Sequence, residues 1–147
     1  MNNLFILALF VLPTTTTIAG NYTQSEVDCM SLAVYGEARG ESKMGQLMVM
    51  DVINNRKISS KYPNHICDVI KQHRQFSFWS GRYSVPKDKV TYKKIQSVVA
   101  EYTSGIWGVG LNGISKGSMW YHAANIRPRW SYKLSKVWHI DNHIFYK

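Results

Sequence analysis

The sequence predicts an α+β protein in which a helical body is followed by a small C-terminal sheet or set of extended segments. Apolar residues recur at helical spacing in four stretches before residue 105, five glycines follow within 105–117, and short aromatic and β-branched runs come last. The chain has 147 residues, 45% hydrophobic and 18% charged, which is the composition of one globular domain. This composition excludes a disordered, collagenous or multidomain protein.

The first twenty residues differ from the rest. Leu4–Leu12 is an apolar run, too short to span a membrane, for which about 20 residues are needed. Pro13, four threonines and a small-residue site ending at Ala19 follow it. This pattern predicts a secretory signal over residues 1–19, with the catalytic or binding domain over 20–147. A buried N-terminal helix and an uncleaved membrane anchor are the alternatives.

A secretory signal would export the chain to the periplasm, the cell wall or the extracellular space. Contact with the membrane would then be limited to the signal segment. These compartments are oxidising, so we expect Cys29 and Cys67, which are the only two cysteines, to form a disulfide.

The helices have recognisable starts. Thr23 and Glu26 have the spacing of a capping box, so the first helix should begin there. Its apolar pattern is interrupted at Gly36, just before Glu37. Apolar stripes predict further helices over about 42–56, 66–70 and 88–104, with Asp88 as the cap of the last one.

The C-terminal third differs from the helical part in its residue composition. The stretch 105–117 is rich in glycine and predicts a loop or a set of turns. The runs 118–122, 137–140 and 143–146 have the residue types of strands.

The chain is strongly basic, with a formal net charge of +9. Such a surface favours an anionic partner: nucleic acid, a lipid headgroup or a bacterial wall polymer. We find no nucleic-acid-binding motif and therefore predict no nucleic-acid partner. The lysines at 87, 89, 93 and 94 are expected to cover a solvated helix face and to help the protein adsorb to an anionic wall.

The chain has only nine carboxylates, so the search for an acid catalyst is short. Glu37 stands out because it lies between Gly36 and Ala38, two small residues that leave room for a substrate. A carboxyl group whose hydration is limited by aromatic neighbours retains its proton more readily and can serve as a general acid. The alternative is an exposed glutamate in a turn.

Several motifs together resemble the SleB/CwlJ-type cell-wall hydrolases, which are named for spore-cortex lytic enzymes. The longest is the block LAVYGEARGES over 32–42. The others, in chain order, are Asn55-Arg56, Tyr62-Pro63, Gln75-Phe76-Ser77, Trp120-Tyr121-His122, Pro128-Arg129-Trp130 and His143-Ile144-Phe145-Tyr146. The resemblance covers nearly all of the chain after the signal.

The resemblance implies a single lysozyme/transglycosylase-like domain that acts on peptidoglycan glycan strands. The implied reaction is cleavage of the β-1,4 bond between N-acetylmuramic acid and N-acetylglucosamine, with Glu37 as the catalytic acid. A lytic transglycosylase needs only one acid, since the C6 hydroxyl of the sugar attacks C1 and leaves a 1,6-anhydro end. No cofactor is implied, and we expect a monomer.

A hydrolytic glycosidase would need a second carboxyl group, and Glu41 is the only close candidate in the sequence. We assign Glu41 a structural role instead, as the partner of Arg39 or Arg56. Many Gram-negative and phage-encoded members of the resembled family also carry a cysteine pair where Cys29 and Cys67 stand. The chain departs from the family pattern at Asp141, where a glycine is expected before the final histidine, and at Asp51, on a helix that is usually more apolar.

A glycan groove needs flat apolar faces for the sugar rings and polar groups for their substituents. Six residues offer that mix and are the predicted substrate contacts: Gln75, Phe76, Ser77, Tyr121, His122 and Trp130. Phe76 could instead lie in the core, and Trp130 could be a core plug rather than a wall of the groove.

Two other functions stay open. An N-acetylmuramoyl-L-alanine amidase would normally use zinc. His139 and His143 are four residues apart, but this segment is predicted to be extended and no third ligand has suitable spacing, so we predict no metal site. The second alternative is a non-catalytic basic protein that binds the wall.

Overall fold

Among the residues that the structure describes, four α-helices precede a three-stranded sheet. A computed structural model describes residues 22–72, 76, 86–107 and 115–147, together with the backbone of Thr17–Ile18. The α-helices are α1 (Gln24–Ala38), α2 (Lys43–Ile58), α3 (Ile66–Lys71) and α4 (Lys89–Thr103), and a 3₁₀ helix covers Arg129–Lys133. The strands are β1 (Thr17–Ile18), β2 (Tyr22–Thr23), β3 (Trp120–Ala123), β4 (Lys136–Ile140) and β5 (His143–Tyr146). The predicted α+β class is confirmed.

Helix α1 begins at the predicted capping box. Glu26 N donates to Thr23 Oγ1 at 3.3 Å, and Thr23 N donates to Glu26 Oε2 at 3.1 Å. The helix runs through Gly36 to Ala38, which corrects the expectation that Gly36 would interrupt it. A glycine costs a helix about 1 kcal/mol relative to alanine, which is too little to end one that is packed along its length. Glu37 therefore lies in the last helical turn.

Helix α2 is the centre of the body and contacts the other three α-helices. Its residues from Gly45 to Ile53 are all buried, as expected for a helix covered on every side. Among them is Asp51, which receives a hydrogen bond from the Tyr102 hydroxyl at 3.2 Å. Burial, together with the nearby Asp51 carboxylate, raises the pKa of Tyr102, so this tyrosine stays protonated and donates. Asp51, which departs from the more apolar pattern expected for this helix, is thus paired with a hydrogen-bond donor on α4.

Helices α3 and α4 complete the body. The structure pairs Cys29 of α1 with Cys67 of α3, whose Cα atoms are 5.4 Å apart. The predicted cap of α4 is also present, since Asp88 Oδ1 accepts from Thr91 N at 3.0 Å.

The sheet is antiparallel with the order β3-β5-β4, so β5 is the central strand. Tyr121 of β3 pairs with Phe145 of β5, and Ile140 of β4 pairs with His143 of β5. Phe145 is fully buried and joins the helical core. All three predicted strands exist, whereas the 3₁₀ helix between β3 and β4 was not predicted.

The tight turn between β4 and β5 is bound to the start of α2 by reciprocal hydrogen bonds. Glu41 accepts from the backbone N and the side-chain Nδ2 of Asn142, at 2.9 and 3.1 Å. Asp141 Oδ2 accepts from the backbone N and the Oγ of Ser42, at 2.8 and 2.6 Å. The backbone of Asp141 has φ 49°, the left-handed region that favours glycine. Asp141 thus occupies a glycine-like position while gaining two hydrogen bonds.

The N-terminal end of the described chain pairs with itself. Thr17–Ile18 forms an antiparallel ladder with Tyr22–Thr23. The rest of the predicted signal over residues 1–19 lies outside the described residues, so the signal stays a prediction. In the ranges given above, no helix is both long enough and apolar enough to cross a membrane.

Candidate active site

A cleft of about 810 Å³ opens where the end of α1 meets β3, β5 and the 3₁₀ helix. Its volume is within the range of roughly 300–1,000 Å³ that is typical of small-molecule sites. It is lined by Glu37, Arg56, Trp120, Tyr121, His122, Ala123, Ile126, Pro128, Trp130, Lys133, Leu134 and His143.

Glu37 is the only carboxylate among these lining residues, and all nine carboxylates of the chain belong to the described residues. Its side chain is half-buried, which contradicts the alternative of an exposed turn glutamate. The hydroxyl of Tyr121 donates to Glu37 Oε2 at 3.3 Å. The last turn of α1 therefore presents one acid to the cleft, oriented from β3.

Tyr121 forms part of the cleft floor. Burial, with the nearby Glu37 carboxylate, raises the pKa of Tyr121 well above its ordinary value. The phenol consequently keeps its proton and acts as a donor to Glu37. Its ring packs against those of His143 at 5.0 Å and Phe145 at 5.6 Å, which restricts its movement.

Arg56 lies beneath the cleft with 3% of its surface exposed. Its Nε donates to the carbonyl of Met119 at 2.9 Å, and its guanidinium lies over the rings of Tyr62 and Phe76. Burial lowers the pKa of Arg56, while the nearby Tyr62, Tyr121 and Glu37 act in the opposite direction. Arg56 Nη1 is buried and has no hydrogen-bond partner among the described residues.

His122 and Trp130 form one wall of the cleft. His122 Nδ1 lies 2.9 Å from the carbonyl oxygen of Ala123, and Nε2 lies 2.9 Å from the hydroxyl of Tyr146. Trp130 stands edge-on to His122 and Tyr146 with ring centroids 5.6 and 5.5 Å away, and is 37% exposed. Trp130 is therefore a wall residue, not a core plug.

The predicted substrate contacts are only partly brought together. Tyr121, His122 and Trp130 line the cleft with Glu37, although His122 is 5% exposed and uses both ring nitrogens within the protein. Gln75 and Ser77 lie outside the described residues.

Phe76 is a correction. We expected its ring at the substrate, but the structure buries it to 2% exposure in the core, with the Arg56 guanidinium 5.6 Å from its centroid. A buried aromatic face cannot stack on a sugar, so Phe76 supports the site from below.

The expected partners of Glu41 were also wrong. Glu41 binds Asn142, whereas Arg39 is exposed at the end of α1 and lies over the ring of Tyr35 at 5.3 Å. Arg56 donates to a backbone carbonyl instead. Glu41 thus anchors the β4–β5 turn, and neither arginine forms an ion pair with it.

Two cleft residues had been given other roles. Arg56 was treated as a partner of Glu41, and the signal for its burial is its position in the apolar stripe, four residues after Val52 and three after Ile53. His143 belongs to a family motif, and the one chemical role weighed for it is metal binding together with His139, but the two histidines lie on different strands. In the described part of the chain, no three His, Cys, Asp or Glu side chains converge as a metal site would require.

Comparison with known proteins gives consistent matches. The sequence profile of a family described as Cell Wall Hydrolase matches residues 40–146, and Glu37 lies just before that range. The spore cortex-lytic enzyme of Bacillus cereus is 30% identical over 90% of this chain, and that of Oceanobacillus iheyensis is 30% identical over 86%. The matched regions are 48% and 43% of those proteins, so the chain spans less than half the length of these relatives.

Solved structures agree in fold. The catalytic domain of the Bacillus cereus SleB protein has a TM-score of 0.65 at 28% identity, with 86% of this chain and 92% of that one covered. The catalytic domain of a germination-specific lytic transglycosylase, SleB of Bacillus anthracis, has a TM-score of 0.66 at 28% identity, with 88% and 100% covered. Since the family profile covers most of the sequence and the fold agrees, this chain belongs to the cell wall hydrolase family.

Proposed function

We propose that this protein cleaves the β-1,4 bond between N-acetylmuramic acid and N-acetylglucosamine in peptidoglycan, as a lytic transglycosylase that uses Glu37 alone as general acid and base. The observation that supports it most is that Glu37 is the single carboxylate lining the cleft. The similarity to a lytic transglycosylase catalytic domain points to the same reaction.

None of the other eight acids lines the cleft, and four of them are held by other partners. A hydrolytic glycosidase places its second carboxyl about 5–5.5 Å from the first for retention, or about 6.5–9.5 Å for inversion. Glu41, the nearest in sequence, uses both oxygens to hold Asn142, and Asp141 holds Ser42. Glu26 is bound by backbone amides and Lys57, and Asp51 is buried beside Tyr102. The geometry therefore favours a reaction that activates no water.

In the proposed reaction, Glu37 gives its proton to the glycosidic oxygen as the bond from C1 of the muramic acid breaks. The C6 hydroxyl of the same sugar then bonds to C1, and its proton passes to Glu37. The acid is regenerated, and the products are an N-acetylglucosamine end with a free hydroxyl and a 1,6-anhydromuramic end. Tyr121 holds the carboxyl group in place during both transfers.

The test is to digest purified peptidoglycan and to analyse the products by mass. Anhydro-muropeptides support the proposal. Reducing ends without the anhydro mass would indicate a hydrolytic muramidase, free stem peptides an amidase, and the absence of any release a wall-binding protein; each would reject the proposal.

The matched variants are Glu37→Gln and Glu101→Gln. The first keeps the shape of the side chain and removes the proton, so activity should fall by about 10²- to 10⁴-fold. The second removes only an exposed ion pair with Lys43, and should behave like the unmodified protein. Full activity of Glu37→Gln would reject the role of this residue.

A further inference from the structure

We propose that His143 binds the glycan directly: its neutral imidazole donates a hydrogen bond from Nε2–H to the acetamido carbonyl of a sugar in the cleft. This inference rests on the proposed function and adds to it a residue that selects N-acetylated substrate. Nothing in the reaction as described above uses His143.

The ring of His143 is held in one orientation. It sits on the central strand β5 with 6% of the residue exposed, and it lines the cleft. Tyr121 packs edge-on at 5.0 Å on one side and Phe145 at 6.1 Å on another. The preceding residue, Asn142, is anchored by Glu41, so the backbone that carries the ring is also restrained.

The two ring nitrogens differ in their surroundings. Nδ1 is sealed from solvent and has no hydrogen-bond partner among the described residues. Buried N–H groups without an acceptor are rarer in proteins than acceptors without a donor. The proton of the neutral ring is therefore expected on Nε2, and the residue is one of those that line the cleft.

The charge state follows from the groups around the ring. Carboxylates face it from three elements, namely Glu37 on α1, Glu41 before α2 and Asp141 in the β4–β5 turn, and His122 faces it from β3. Burial disfavours the cation more than the carboxylates favour it, so the pKa of His143 lies below its ordinary value of 6.5. At neutral pH the ring is thus an uncharged donor.

The acetamido carbonyl fits this donor best. A neutral N–H can bond to an uncharged acceptor, and an amide carbonyl is the strongest uncharged acceptor on the sugar rings of the glycan. The neighbouring rings of Tyr121 and Trp130 provide apolar surface for the acetyl methyl group.

The experiment compares His143→Leu with His143→Gln on soluble glycan strands prepared from peptidoglycan, with and without chemical N-deacetylation. The glutamine Nε2 can replace the imidazole donor, whereas leucine cannot. On N-acetylated strands we expect His143→Leu to lower kcat/KM by about 5- to 50-fold, mainly through KM, and His143→Gln to stay within about threefold. On deacetylated strands His143→Leu and the unmodified protein should be equal. His139→Leu, on the exposed strand β4, is the control.

Three results would overturn the inference: an unchanged KM in His143→Leu, a failure of glutamine to rescue, or an equal deacetylation penalty with and without the imidazole. A readout that needs no turnover is the nitrogen-15 spectrum of the histidines, in which a proton on Nδ1 at neutral pH would also overturn it. Failure of the proposed function looks different, because the unmodified protein would then release no anhydro product.

Discussion

The hydroxyl of Tyr121 donates a hydrogen bond to Oε2 of Glu37 across 84 positions of sequence, at 3.3 Å. This contact joins the last turn of α1 to the edge strand β3, and so connects the helical body to the sheet at the cleft. Because burial keeps the phenol protonated, the carboxyl group is held by a donor that does not itself titrate near neutral pH.

Replacing Tyr121 by Phe should slow the chemical step. A hydrogen bond to a charged group contributes about 1.5–3 kcal/mol, which corresponds to about a 10- to 150-fold lower kcat, with a smaller change in KM. The measurement is the initial rate of anhydro-muropeptide release. Tyr132→Phe, at a 71% exposed position, is the control and should keep the full rate. An unchanged kcat in Tyr121→Phe would show that Glu37 is positioned by other contacts.

Substitutions of the turn residue Asp141 should destabilise the protein, and alanine should destabilise it more than glycine. Asp141→Ala keeps a side chain in the left-handed region and loses the hydrogen bonds to Ser42, so the free energy of unfolding should fall by about 2–3 kcal/mol. Asp141→Gly loses the same hydrogen bonds, but glycine adopts the left-handed backbone without strain. Its free energy of unfolding should therefore fall by about 1 kcal/mol less than that of Asp141→Ala. Urea unfolding measures the free energies of unfolding of the two variants. An alanine variant as stable as the glycine variant would contradict the prediction.

Gly45 should resist the substitution to alanine that normally stabilises a helix. A Cβ atom added at Gly45 would lie 2.5 Å from Asp141 Oδ2 and 2.9 Å from Glu41 Cβ. We expect Gly45→Ala to lose about 1–3 kcal/mol of unfolding free energy, instead of gaining the usual 0.5–1 kcal/mol or so. The loss should shrink when Asp141→Gly is present, because the nearer contact is gone. Additive losses in a double-mutant cycle would show that the two sites do not communicate.

Low pH should reduce the free energy of unfolding through protonation of Glu26. Burial raises the pKa of Glu26, but Lys57 and the backbone amides of Thr23 and Ile66 outweigh it, so the pKa lies below the ordinary 4.5. The stabilisation is complete above about pH 4.5 and is lost as the pH falls through the lowered native value, since the unfolded carboxyl takes up its proton first.

Glu26→Gln should therefore be less stable at neutral pH by about 2 kcal/mol and should lose less stability between neutral pH and pH 3. Thermal unfolding across this range is the measurement. The exposed Glu101→Gln variant should keep the pH dependence of the unmodified protein. The prediction fails if the stability curves of Glu26→Gln and the unmodified protein stay parallel down to pH 3.

The capping box at Thr23, the cap at Asp88 and all three C-terminal strands were predicted from local patterns. Those patterns act within a few residues, so the sequence displays them directly. The end of α1 was missed because α1 packs against α2 and α4, which outweighs the small helix cost of Gly36. Phe76 was assigned to the groove because residue type alone does not reveal whether an aromatic ring is buried.

The sequence alone determined the α+β class, the family resemblance and the choice of Glu37, because periodicity, caps and an uninterrupted motif are properties of neighbouring residues. Only the tertiary structure decided that Tyr121 holds Glu37, that Glu41 anchors Asn142 and that Arg56 and His143 line the cleft. These relationships join residues 84 and 101 positions apart, and such distances close only when β3 and β5 pack against the helical body.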